Sequence, residues 1–148
     1  MTRNREPPPK ILSAGVVVVH RDAQRFRLLC VRTFERWDFP KVAVPAGRDA
    51  LAAALAETRA ATGLDALELS WGEDYRETLS FADGRVSRYY LARTNDAERE
   101  LRVPGGRHGD PDDALRWVTY EEAEEILPPS LSLVLDWVVR RLAEGPVR

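Results

Sequence analysis

The sequence predicts an α+β domain, and three observations carry that prediction. Residues 11–33 hold two apolar, β-branched runs, ILSAGVVVVH and RFRLLCVRT. One alanine-rich segment, at 50–62, has helix-start and helix-stop residues at its ends. Further strand-like runs then precede two amphipathic helical segments, so helices and strands are grouped rather than strictly alternating.

In the first run Val16 to Val19 are apolar without alternation, which predicts a central strand buried on both faces. DAQ turns the chain into the second strand, and FERWDFPKVAVPAGRD reads as an amphiphilic loop. Asp49 is a good N-cap, Gly63 a good residue just past the helix end, and the alanines and leucines between are strong helix formers. ALELSWG, DYRETLSFA and RVSRYYLART read as strands, the last two joined by a hairpin turn at ADGR. Residues 95–114, polar and rich in glycine and proline, predict a long exposed loop of the kind that borders ligand sites. A short strand, LRWVT, follows. Thr119 then caps a helix stopped by Pro128 and Pro129. The last helix carries Leu131, Val134, Leu135, Val138 and Leu142 on one face, with Leu133 and Trp137 widening it. Core packing is expected for that wider face, a homodimer contact being the alternative.

At 148 residues the chain has the size of one domain, expected over 11–148 after a poorly ordered, proline-rich lead-in at 1–10. A net charge of -2 gives no general attraction to nucleic acid. Apolar runs are too short to span a membrane and no secretory signal pattern opens the chain, so a cytoplasmic location is expected. The single cysteine, Cys30, lies in an apolar run and reads as a small buried hydrophobe.

The order of these pieces, strand, strand, WDFPK, a capped helix ending TGL, more strands and then RWVTYEEAEEIL, resembles the Nudix hydrolase superfamily from Ser13 to about Leu142. SAGVVVV, FPK, RWV and EEA look most like its diadenosine polyphosphate hydrolase branch. The resemblance implies an α/β/α sandwich with a mixed sheet between helices. The family motif is G-x5-E-x7-R-E-U-x-E-E-x-G-U, U being bulky and aliphatic, and Gly63-Leu64 sets its register. The paired glutamates then fall on Ala60 and Ala61, the Arg-Glu on Ala56 and Glu57, the loop glutamate on Arg48 and the opening glycine on Val42.

Residues three and four apart share a helical face, so the family pattern aims three carboxylates at one point. Such a cluster holds Mg²⁺, which bridges carboxylates to substrate phosphates. Here only Glu57 remains of it, a catalytic remnant, and Arg48 is a cation where the family keeps an acid. No metal ligand set is assigned and no cofactor is expected; Mg²⁺ enters only if Asp110, Asp112 or Asp113 of the long loop replace the lost carboxylates.

From Lys41 to Leu64 three basic residues stand against two acidic ones. The expectation is a cleft that binds an anion directly, with Lys41 and Arg48 carrying part of the metal's electrostatic role and Arg32 joining them. Trp37 and Phe39 are expected in the core. Tyr89 and Tyr90 are adjacent on a strand, so one faces out to line a nucleobase pocket, and Tyr89 is assigned that role. His108 in the long loop reads as solvated. The function these readings support is an impaired Nudix-type protein that binds a nucleotide or other phosphorylated small molecule. The alternatives are an active pyrophosphohydrolase of nucleoside diphosphate derivatives or dinucleoside polyphosphates, and a protein-interaction scaffold.

Overall fold

The computed structural model describes residues 11–22, 25–33, 35–78, 84–95 and 114–146. Strands β1 (Ile11–Asp22), β2 (Arg25–Thr33), β3 (Arg36–Asp38) and β4 (Lys41–Ala43) precede helix α1 (Ala50–Thr62). Then come β5 (Tyr75–Thr78), β6 (Arg85–Arg93), β7 (Ala114–Thr119), α2 (Tyr120–Ile126) and α3 (Ser132–Glu144). Among the described residues no helix is long and apolar enough to cross a membrane.

The strands form one sheet of order β3-β2-β1-β6-β5, with β4 also on β1 and β7 also on β2. β1 and β6 run parallel from Ile11↔Arg85 to Val19↔Arg93, while the other pairings are antiparallel, so the sheet is mixed as expected. Its two faces are both covered. Ala14, Val16 and Val18 face α1 with Leu29, Tyr90 and Ala92. Val17 and Val19 face α2 and α3 with Leu28, Tyr89 and Leu91. Val16 to Val19 are all 0% exposed, which explains the unalternated valine run: a strand between two helical layers has no polar face. Each such valine contributes roughly 1.5–3 kcal/mol by leaving water.

Local chemistry sets the helix ends as expected. The Asp49 side chain accepts from the amides of Leu51 (3.0 Å) and Ala52 (3.4 Å). Gly63 adopts φ 81° and its amide donates to the Arg59 carbonyl. Thr119 and Glu122 form a reciprocal capping box on α2.

Three expectations are corrected. Residues 66–72 form no strand; one bridge, Glu68↔Arg93, is made before Gly72 turns the chain with φ 93° and donates to the Leu69 carbonyl. The loop after β2 contains β3 and β4, because Pro40, lacking an amide, marks the point where the chain leaves β2 for β1. Leu133 is 58% exposed rather than core, since Val134, Leu135 and Val138 already define the inward stripe of α3; Trp137 packs half-buried against the core. The expected lead-in at 1–10 and most of the long loop, with His108, Asp110, Asp112 and Asp113, lie outside the described residues.

Candidate functional site

The sheet splits where β1 exchanges partners: Val19 to Asp22 pair with β2, and Ser13 to Gly15 pair with β4. The chain between β3 and β4 closes that gap, and Gly15 makes the closure feasible. A Cβ at Gly15 would lie 2.4 Å from the Pro40 carbonyl oxygen and 2.8 Å from the Lys41 Cβ, so only glycine fits.

This crossover places Lys41 on the α2/α3 side of the sheet. Lys41 pairs with Gly15, which pairs with Tyr89, and residues directly opposite in a sheet share a face. The Lys41 Nζ donates to Ser87 Oγ at 3.2 Å and forms an ion pair with Asp38 Oδ2 at 3.1 Å. Asp38 also accepts from the Tyr89 hydroxyl at 2.8 Å. Burial, followed by the Asp38 charge and hydrogen bond, pushes the Tyr89 phenol well above its ordinary pKa. Both tyrosines of the pair are buried, Tyr89 at 1% and Tyr90 at 5% exposed. The outward tyrosine expected for a base is therefore absent from this pair: the alternation sends one ring into each helical layer, and Tyr89 meets Phe39 edge-on.

Arg48 lies on the opposite side. With Leu12, Val44 to Gly47, Tyr75, Glu77, Val86 and Arg88 it lines a cleft of about 380 Å³. Val86 and Arg88 alternate with Ser87 and Tyr89 along β6, so they face the α1 layer. Lys41 and Arg48 thus do not meet in one cleft. The Arg48 guanidinium has no ion-pair or hydrogen-bond partner among the described residues and is exposed. Arg32 stands elsewhere again, 5.7 Å from the Trp37 ring centre, with Arg116 at 5.7 Å from the same ring.

The cleft also holds residues whose role sequence reasoning missed. Arg88 lies 4.1 Å from the ring centre of Tyr75 and forms an ion pair with Glu77 at 2.9 Å. Tyr75 is 45% exposed and meets Tyr90 edge-on at 5.5 Å, so it offers an aromatic surface already fixed in place. Desolvation opposes the Arg88 charge, but hydrogen bonds with Tyr90 and Glu77 more than offset it, and its pKa stands above the ordinary value. The available signal was Arg88 itself, a cation inside RVSRYYL, where a strand buried on both faces should carry none.

The motif face of α1 does not fit a magnesium site. Glu57 is half-buried and already engaged within the chain. Ala60 is exposed, while Ala61 is 3% exposed and packed away. Among the described residues no three His, Cys, Asp or Glu side chains converge as metal ligands. On the inward side Thr58 and Thr62 donate back to the carbonyls of Ala54 (2.8 Å) and Thr58 (2.6 Å), which satisfies their buried hydroxyls.

Cys30 is 0% exposed, and burial foremost, with Asp38 adding and Arg116 opposing, pushes its pKa from 9.0 up to about 12. At pH 8 native Cys30 is expected to react with iodoacetamide about three orders of magnitude more slowly than in the denatured chain, measured by mass spectrometry. Stability should also decline as pH rises from about 9 toward 12, because the unfolded thiol ionises there and the buried one does not.

A NUDIX domain family model matches residues 9–138. The chain belongs to the NUDIX family. A Mus musculus protein named bis(5'-nucleosyl)-tetraphosphatase [asymmetrical] is 33% identical over 90 residues, a match covering 59% of this NUDIX chain and 58% of the mouse protein. The crystal structure of a C. elegans Ap4A hydrolase binary complex superposes with TM-score 0.73 at 18% identity, covering 90% of this chain and 98% of that one. The NUDIX domain of Shewanella oneidensis NrtR, crystallised with ADP ribose, gives TM-score 0.65 at 14% identity and 94% coverage of both chains. At these identities the two structures speak to the fold, and they agree with the sandwich and mixed sheet described above.

Proposed function

We propose that this NUDIX domain binds a nucleotide or another phosphorylated small molecule in the α1-side cleft, without a divalent cation as bridge, and that hydrolysis is impaired. The observation that carries the reading is Arg48, whose guanidinium lines the cleft without a partner among the described residues, at the register position of the family's loop glutamate. A guanidinium donates paired hydrogen bonds to phosphate oxygens and supplies the charge that Mg²⁺ otherwise brings. Tyr75, steadied by Arg88, offers the aromatic surface on which a base stacks. Lys41, neutralised by Asp38 on the other face, supports the sheet crossover instead.

The test is thermal shift over a nucleotide panel with and without Mg²⁺. A bound nucleotide at about 100 times its Kd should raise Tm by about 5–10 °C, equally in EDTA and in Mg²⁺. In the Arg48→Ala protein affinity should fall about 10- to 100-fold, as for loss of a hydrogen bond to a charged group. Unchanged affinity in that variant refutes the assignment.

A second reading, active hydrolysis with metal held by Asp110, Asp112 and Asp113, is favoured by the mouse relative's name. Phosphate release from diadenosine tetraphosphate in Mg²⁺ or Mn²⁺, abolished in Asp112→Asn and Asp113→Asn proteins, would establish it in place of the first. A panel without any shift would favour a scaffold role.

A further inference from the structure

Helix α3 buries one stripe and turns another to solvent. Val134, Leu135 and Val138 are in the core. On the opposite side lie Leu133, Asp136, Arg140 and Ala143, all four exposed, Leu133 at 58%. They follow one another at intervals of three, four and three residues. That is the a, d, a, d spacing by which two helices interlock along a seam. Val139, 41% exposed, and half-buried Trp137 flank the stripe and widen its apolar surface. Among the described residues nothing packs on it.

The two charges decide what fits there. Asp136 and Arg140 stand one turn apart, and neither forms an ion pair or a hydrogen bond with another described residue. In a parallel pair of α3 helices each residue would meet its own copy, aspartate against aspartate and arginine against arginine, which is repulsive. In an antiparallel pair each a position meets a d position of the other helix. Asp136 then faces the partner's Arg140, and Arg140 faces the partner's Asp136. The same register seats Leu133 on the partner's Ala143, a residue small enough to receive it. A single two-fold axis makes both contacts, because position 138 lies midway between 136 and 140 and also midway between 133 and 143.

We infer that the outward stripe of α3 takes a second copy of this chain, antiparallel, about a two-fold axis at the level of Val138. The charge pair in the seam fixes direction and register more than it adds affinity, since the desolvation of both ions offsets their attraction. Thirteen residues give about 20 Å of helix. Such a contact stands at the small end of interface sizes, so the dimer is transient, with a Kd of about 10–100 μM. α3 covers the sheet face opposite α1 and the Arg48 cleft, which the pairing therefore leaves open. The inference is independent of what that cleft binds.

Sedimentation velocity on the intact chain, from about 5 μM to about 1 mM, brackets that Kd and tests the pairing. The parent should pass from monomer to dimer across the range. Asp136→Arg and Arg140→Asp each set like charges together in the seam, and each should weaken association about tenfold or more. The protein carrying both exchanges restores opposite charges and should return to within about threefold of the parent. Leu133→Glu should weaken the dimer as the single exchanges do. All three positions are exposed, so Tm of the dilute proteins should shift little, which separates lost pairing from lost folding. A parent that stays monomeric to about 1 mM, a dimer indifferent to the single exchanges, or a double exchange as weak as the single ones overturns the antiparallel seam.

Discussion

Replacing Phe39 by alanine should lower the unfolding free energy by about 3–5 kcal/mol, the range for deleting a fully buried aromatic ring. Phe39 is 0% exposed and meets Tyr89 edge-on, with ring centres 5.7 Å apart. It also directly precedes Pro40, where the chain passes from β2 to β1. The loss therefore has two parts, the apolar area of the ring and the cavity left beneath the Asp38 to Tyr89 hydrogen bond. Urea unfolding followed by tryptophan fluorescence measures it, and the midpoint should fall while the slope stays constant. A loss below about 1 kcal/mol would mean that the crossover is not anchored by this ring.

Gly15→Ala should cost about 1–3 kcal/mol, as overpacking in a tight core does, despite adding one methyl group. The new Cβ would meet a backbone carbonyl oxygen at 2.4 Å. A main-chain oxygen held by the Val16 amide at 3.2 Å cannot swing aside as a side chain can. β4 would have to move away from β1, carrying Lys41 off Asp38 and Ser87. The same urea experiment reads the stability. Amide exchange localised to residues 13–16 and 40–43 separates a parted strand pair from a general loss. Alanine tolerated without cost would refute the close approach.

The two substitutions act at the crossover rather than at the α1-side cleft. Nucleotide affinity extrapolated to the folded fraction should therefore change little in either protein, whereas Arg48→Ala should alter affinity and leave stability nearly unchanged, as exposed charges usually do.

The features that the residues determined by themselves are local ones. Asp49 and Gly63 bound α1 because a cap bond spans two or three residues and a left-handed turn needs only one glycine. Val16 to Val19 declared a central strand because a run without alternation has no face for water. Gly63-Leu64 set the motif register, and with it the missing carboxylates at Ala60 and Ala61. Thr119 announced the start of α2 as an N-cap, to which the structure adds Glu122 as the reciprocal partner.

Tertiary structure decided what depends on partners distant in the chain. Lys41 and Arg48 are seven positions apart in one loop, and spacing alone suggested one shared cleft. The exchange of partner at Pro40, together with the alternation of β6, puts them on opposite faces of the sheet. Tyr89 and Tyr90 alternate as a strand requires, but helices cover both faces, so neither ring meets solvent. Arg88 and Tyr75, 13 residues apart, meet because β5 and β6 pair. A helix cap is a short-range bond that any local segment can satisfy, whereas a sheet's faces and edges exist only once all the strands are assembled. The α1-side cleft of this chain, lined from β1, β5, β6 and the segment before α1, belongs to that second kind.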